Sequence, residues 1–257
     1  MTNSELFSLR GRRALITGSG QGLGLRFARG LADAGAAIVL NDIDEDRLER
    51  AVANLRAAGV DTNGLLFNVA KPDEVHRAIG EFERAHGPID ILVNNAGIHR
   101  YAALADMTLP QWQEVIDVNL TGAFVVAQTV AASMITRGRG KIINLCSLMS
   151  EATRPTTGNY TAAKGGLKLL TKSMAVEWGR HNIQSNGIGP GYILSDMTRH
   201  LAAKPEFDAW VKSRTPAGRW GTPDDLVGAA VFLASAASDF VNGHVLYVDG
   251  GFLAATR

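Results

Sequence analysis

Thr17-Gly18-Ser19-Gly20-Gln21-Gly22-Leu23-Gly24 is the stretch that decides how this chain folds. Ahead of it stands a short apolar run, Ala14-Leu15-Ile16-Thr17, and behind it residues 22–34 repeat apolar side chains at helical spacing. A strand that turns through glycines straight into a helix gathers helix N–H groups and positive potential at one point, which suits phosphate oxygens. Gly18, Gly22 and Gly24 fit a G-x3-G-x-G spacing. The strict G-x-G-x-x-G frame fails, because Leu23, Leu25 and Phe27 stand where its last glycine belongs. The strand–turn–helix setting still reads as a dinucleotide site, with glycines for the turn, for backbone approach and for helix–strand packing. A glycine-rich turn with no ligand is the plain alternative.

The same alternation runs outward from this stretch. ALIT (14–17), AIVL (37–40), GLLF (64–67), IDILV (89–93), KIINL (141–145), IQSNGI (183–188) and HVLYV (244–248) read as strands. Helix-length segments lie between them, at 22–34, 44–58, 72–86, 110–136, 159–180 and 223–236. Several strands are apolar at consecutive positions, as strands buried on both faces are. Repeated βα units imply an α/β fold: one doubly wound domain over residues 1–257, with a seven-stranded parallel sheet and helices on both faces. The polar stretch from Tyr192 to Trp220, with Pro205 and Pro216, reads as an excursion of short helices at about 192–220 that covers a substrate.

Bulk properties narrow the function. With 26 basic against 25 acidic side chains, the chain has no electrostatic footprint for nucleic acid. Cys146 is the single cysteine, so no intrachain disulfide forms and a reducing, cytoplasmic setting is expected. The N-terminus lacks the apolar core of a signal peptide. The most apolar stretch, Ala123 to Ile135, is short and broken by Gln128, so no membrane span is expected. No metal ion is called for.

Asp42 ends the second strand, 24 residues beyond Gly18. An acid here accepts hydrogen bonds from ribose hydroxyls and repels a 2′-phosphate, which favours NAD over NADP. Ser19, Gln21 and Ile43 fill the neighbouring positions without a basic group. The other reading of Asp42 is a cap for the following helix. Asn68-Val69 is placed to meet an adenine edge, and Asn94-Asn95-Ala96-Gly97 ends the fourth strand where a doubly wound sheet reverses.

Tyr160 and Lys164 lie four residues apart, hence on one helical face, after Ser147. A unit charge ~4 Å away at an effective dielectric of ~20 is worth roughly 4 kcal/mol, about three pKa units. That would bring a phenol into the range of a general base. Alone, the pair leaves an exposed Tyr beside a solvated Lys as the leading reading; its company decides.

With TGSGQGLG (17–24), NNAG (94–97), Asn119, Ser147, YTAAK (160–164) and PGYILS (190–195) in this order, the chain resembles the short-chain dehydrogenase/reductase superfamily. The resemblance implies Tyr160 as acid/base and Lys164 as the cation that lowers its pKa and holds the nicotinamide ribose. It implies Ser147 as hydrogen-bond partner of the reacting oxygen and Asn119 as holder of a relay water. Gly18, Ser19, Gln21, Gly22, Leu23, Asp42, Ile43, Asn68, Val69, Asn95, Ala96, Gly97, Pro190, Gly191, Ile193 and Ser195 would line the cofactor. LFSLRGRRALITG (6–18), KIINLCSLMSE (141–151) and WGRHNIQSNGIGPGY (178–192) are more specifically similar to the gluconate 5-dehydrogenase group. That implies reversible oxidation of D-gluconate to the 5-keto acid, and the superfamily implies a homotetramer. A sugar acid needs a cation for its carboxylate, and Arg100 is the first candidate, with Arg154 and Arg214 behind it. His99 could touch substrate, though a loop His is more often structural or simply exposed, and Glu151 could accept sugar hydroxyls or merely cap the next segment. A polyol dehydrogenase, a 3-oxoacyl reductase and, from another class, a non-catalytic dinucleotide-binding regulator are the competing readings.

Overall fold

The computed structural model describes residues 2–255. Seven strands form one parallel sheet: β1 (Arg13–Ile16), β2 (Ala37–Asp42), β3 (Thr62–Leu66), β4 (Ile91–Asn94), β5 (Gly140–Leu145), β6 (Ile183–Pro190) and β7 (Val245–Val248). Their spatial order is β3-β2-β1-β4-β5-β6-β7. Every residue of β4, β5 and β6 is buried, polar Asn94, Lys141, Asn144, Gln184 and Asn186 included, so none of the three follows the alternation of a strand with one solvated face. The edge strand β3 alternates from its second residue on, half-buried at Asn63 and Leu65 and exposed at Gly64 and Leu66.

Ten helices cover the sheet or extend from it: α1 (Asn3–Leu6), α2 (Gly22–Asp33), α3 (Glu45–Ala57), α4 (Pro72–His86), α5 (Leu109–Ile116), α6 (Gly122–Arg137), α7 (Gly158–Trp178), α8 (Arg199–Ala202), α9 (Pro205–Arg214) and α10 (Asp224–Ala234). Strand alternation sorts the core into two layers. Ala14 and Ile16 of β1 meet Phe27, Leu31, Leu48, Leu55, Leu226 and Leu233 from α2, α3 and α10. Leu15 faces the opposite layer, where Val75, Ile79, Phe82, Val126, Val130 and Met174 come from α4, α6 and α7.

One helix differs from the sequence expectation. The helix expected over 110–136 is interrupted: between α5 and α6, Asp117–Thr121 forms one π turn with Asn119 buried in it. The run Leu109–Arg137 has the length and apolarity of a membrane span, but half of that window is buried, with Val126, Val130 and Met134 packed on the sheet. The excursion carries α8 and α9, and a parallel bridge between Ile193 and Gly221 closes it at its root. Tyr192 is the centre of its packing, edge-on to Phe207, Trp210, Trp220 and Phe252 at 5.4 to 5.6 Å.

Because β4 lies beside β1, the chain reverses direction between these strands and opens a crevice beyond their C-terminal ends.

Candidate active site

That crevice is a cleft of about 450 Å³, within the range of small-molecule sites. Its wall begins at the β1–α2 turn. Gly22 has φ +59°, and nearly open space faces it: the nearest atom to an added Cβ is Asp196 Oδ2 at 3.9 Å. Gly24 serves packing instead, since a Cβ there would come within 2.5 Å of the Gly18 carbonyl and 2.6 Å of Asn95 Nδ2. No side chain caps α2, so its first-turn N–H groups are left for an incoming acceptor. A cradle of bare amides opening on space fits a pyrophosphate.

Of the sixteen positions expected at the cofactor besides the reactive Tyr160 and Lys164, fifteen lie along this wall. Gly18, Gln21, Gly22, Leu23, Asp42, Ile43, Asn68, Val69, Asn95, Ala96, Gly97, Pro190, Gly191, Ile193 and Ser195 line the cleft. Ser19 does not. It is wholly buried, and its hydroxyl donates to the Ile16 carbonyl at 2.7 Å and accepts from Asn41 N at 3.1 Å, tying the turn to β2. Asn95 staples β4 to β1 through bonds from Nδ2 to the Thr17 and Gly18 carbonyls, at 2.8 and 2.9 Å.

Asp42 is not the helix cap. Asp44 caps α3 by accepting from Arg47 N at 2.8 Å. Asp42 instead faces the cleft with Gly20 N on one oxygen at 3.1 Å, and Asp44 N and Arg47 Nη2 on the other at 3.1 and 2.6 Å. Burial works to raise this carboxyl, but the Arg47 bond and charge and the two N–H donors outweigh it and hold it below the usual range. Arg47 was missed in the sequence. So were Met197 and Thr198, which also line the cleft just past Ser195.

The reactive side chains converge at the far end. Ser147 follows β5 and caps a short turn, its hydroxyl accepting from Met149 N at 3.1 Å. Tyr160 and Lys164 come from the first two turns of α7, and all three line the cleft. Lys164 Nζ donates to the Leu145 carbonyl at 2.6 Å and stands 5.5 Å from the Tyr160 ring centroid. This corrects the simple picture of a phenol made acidic by its ammonium neighbour. Burial pushes the Tyr160 phenol up to about 12, against a lowering bond from Ser147, and pushes the Lys164 amine down to about 8. Desolvation outweighs the pair's attraction because both groups are taken out of water together.

Asn119 sits in the π turn with its amide committed to Ile98: Oδ1 accepts from Ile98 N at 2.8 Å and Nδ2 donates to Ile98 O at 2.9 Å. It therefore anchors the loop after β4, which leaves only its main chain for the relay that the resemblance implies.

Three substrate candidates are displaced from the cleft. Arg100 points away from the cleft, its Nε and Nη2 held by both oxygens of Glu114 on α5 at 2.8 and 2.6 Å. Glu151 is exposed on another face, where it accepts from Lys168 at 2.5 Å and Tyr247 at 2.8 Å. Arg214 lies over Phe252, 5.5 Å from its centroid. Arg154 and His99 do lie on the reactive side. The His99 ring stacks on Tyr160 at 4.8 Å and on Tyr101 at 3.7 Å, and the Arg154 guanidinium covers Tyr101 at 5.4 Å. Burial, then the charges of Arg154, His200 and Arg100, lower His99 to about 4, so its imidazole is neutral. Among the described residues five buried side-chain polar atoms lack a hydrogen-bond partner, and three of them are Arg47 Nε, His99 Nδ1 and Arg154 Nε. Such atoms mark places where a ligand can complete the bonding.

Comparison with known proteins agrees with this geometry. A family model described as enoyl-(acyl carrier protein) reductase matches residues 18–253. The chain belongs to the short-chain dehydrogenase/reductase family. It is 50% identical over 251 residues to the gluconate 5-dehydrogenase of Gluconobacter oxydans, covering 98% of each chain. It is also 50% identical over 252 residues to the 5-keto-D-gluconate 5-reductase of Escherichia coli, covering 98% of this chain and 99% of that one. A gluconate 5-dehydrogenase from Burkholderia cenocepacia, solved in complex with NADP and tartrate, superposes with a TM-score of 0.97 at 52% identity, covering 99% of this chain and 100% of that one. The protein is thus an NAD(P)-dependent oxidoreductase acting on a CH–OH group, and the seven-stranded doubly wound sheet is the fold of its relatives.

Proposed function

We propose that the protein interconverts D-gluconate and 5-dehydro-D-gluconate with NAD as its preferred cofactor. The observation that carries this is the convergence of Ser147, Tyr160 and Lys164 in one cleft with an uncapped glycine turn, in a chain half identical to enzymes named for this reaction. Arg154, whose buried Nε has no hydrogen-bond partner and whose guanidinium covers Tyr101 in the ring stack that reaches Tyr160 through His99, supports a substrate with a carboxylate, and Asp42 supports NAD. A polyol has no carboxylate for Arg154 to pair with. The test is a spectrophotometric panel of sugar acids and polyols, each with NAD and NADP. Gluconate turnover that is faster with NAD is the expected result. Turnover of polyols alone would overturn the assignment.

The chemistry at this end is proton handling. Ser147 holds the reacting oxygen, and Tyr160 moves a proton to or from it. Gly18, Gln21, Gly22 and Leu23 would hold the pyrophosphate of the dinucleotide, Asp42 its adenosine ribose, and Lys164 its nicotinamide ribose. When bound, the nicotinamide supplies or accepts the hydride.

The two shifted groups set the pH behaviour. Reduction needs the neutral phenol, present throughout the working range, together with charged Lys164, present below about 8. Oxidation needs the phenolate, whose fraction grows about tenfold per pH unit while Lys164 keeps its charge. The kcat/KM for oxidation is therefore expected to rise with pH and level off above about 8, and that for reduction to stay flat and then fall. Profiles in both directions check this. A plateau in oxidation already reached near pH 7 would show that the phenol is acidic after all.

We further propose a cytoplasmic, homotetrameric protein. The lone Cys146 supports the compartment, and exposed Leu169 and Val176 on α7 with Phe124 on α6 offer apolar surface for subunit contact.

A further inference from the structure

Asp42 alone would make the adenosine end of the cleft selective for NAD, because a bare carboxylate repels a 2′-phosphate. It is not bare. Arg47, five residues on in the first turn of α3, pairs with it at 2.6 Å and lines the same cleft. The two differ in freedom: the Asp42 side chain is 5% exposed and that of Arg47 28%. Asp42 is held by Gly20 N and Asp44 N whether or not Arg47 stays. Arg47 has a second acid, Asp44, only at 3.9 Å, and its buried Nε has no partner. Beside it the Ile43 side chain, 63% exposed, lines the cleft without closing it.

We propose that Arg47 is the specificity-determining residue of the adenosine site and lets it accept both dinucleotides. With a ribose diol present, Arg47 stays on Asp42 and the carboxylate accepts the hydroxyls. With a 2′-phosphate present, the guanidinium turns its planar fork from carboxylate to phosphate, a geometry it matches equally well. Asp42 remains bonded to its two main-chain donors, so its charge is not left unsatisfied. This rests on the reading that the cleft binds a nicotinamide dinucleotide.

The test is calorimetric titration of the intact protein with NAD and NADP in the absence of substrate. Wild type is expected to bind both. Arg47→Ala and the near-isosteric Arg47→Gln should each lower the NADP-to-NAD affinity ratio at least about tenfold, the size of one charged hydrogen-bonded contact. Asp42→Asn should move the ratio the other way. Wild-type NADP affinity should fall with added salt more steeply than in either Arg47 variant. An unchanged ratio in both Arg47 variants would overturn the inference, as would wild type that binds NAD but not NADP. Failure of wild type to bind either dinucleotide would instead overturn the cofactor reading beneath it.

Discussion

Replacing Tyr160 with Phe is expected to lower kcat by about three orders of magnitude, the middle of the range for loss of a positioned acid/base. That loss corresponds to about 4 kcal/mol of transition-state stabilisation. The substitution removes one oxygen and leaves the ring, so the stack with His99 and the wall of the cleft keep their shape. Dinucleotide affinity should accordingly stay within about threefold of wild type. Steady-state rates with matched calorimetry decide the matter. Activity within tenfold of wild type would remove Tyr160 from the reaction, and a parallel collapse of cofactor binding would point to a damaged fold.

Arg154→Ala is expected to raise KM for gluconate by about a hundredfold, or ~3 kcal/mol, the scale of a charge-assisted bond to a carboxylate. An uncharged polyol should feel the same substitution by no more than about threefold. The comparison matters because Arg154 also covers the rings of Tyr101 and Phe207, and simple loosening of that packing would harm both substrates alike. Arg100→Ala serves as the control. Its guanidinium is spent on Glu114 in solvent, so it should change KM by about threefold at most. A larger effect at Arg100 than at Arg154 would reverse the assignment.

The contrast between these two arginines shows where the sequence was readable. Strand positions were legible because burial on both faces leaves an unbroken apolar signature, as in Ile38–Leu40, and the glycine turn was legible because Gly22 and Gly24 answer separate steric demands. Direction within a loop has no such signature. Arg100 is near the reactive end in sequence, yet the chain after β4 turns its side chain toward α5. Arg47 escaped notice for a related reason: it lies beyond the strand end, and only the pitch of α3 brings it back onto Asp42. Ser19 looked like a cofactor contact because its neighbours are. Its hydroxyl was needed to bind β1 to β2. The acidity of Tyr160 was misjudged because spacing gives the distance of a charge but not the loss of water around it.

The π turn at Asp117–Thr121 carries a consequence of phase. Five residues wound with the wider i→i+5 ladder turn through less angle than five in an α-helix, so α5 is rotated by roughly a quarter turn from where unbroken winding would leave it. At that setting Asn119 meets Ile98 with both ends of its amide. One stored residue in a core helix thus acts as a fixed angular offset, and the aim of the loop carrying His99 and Tyr101 over Tyr160 is set by residue count as much as by residue type.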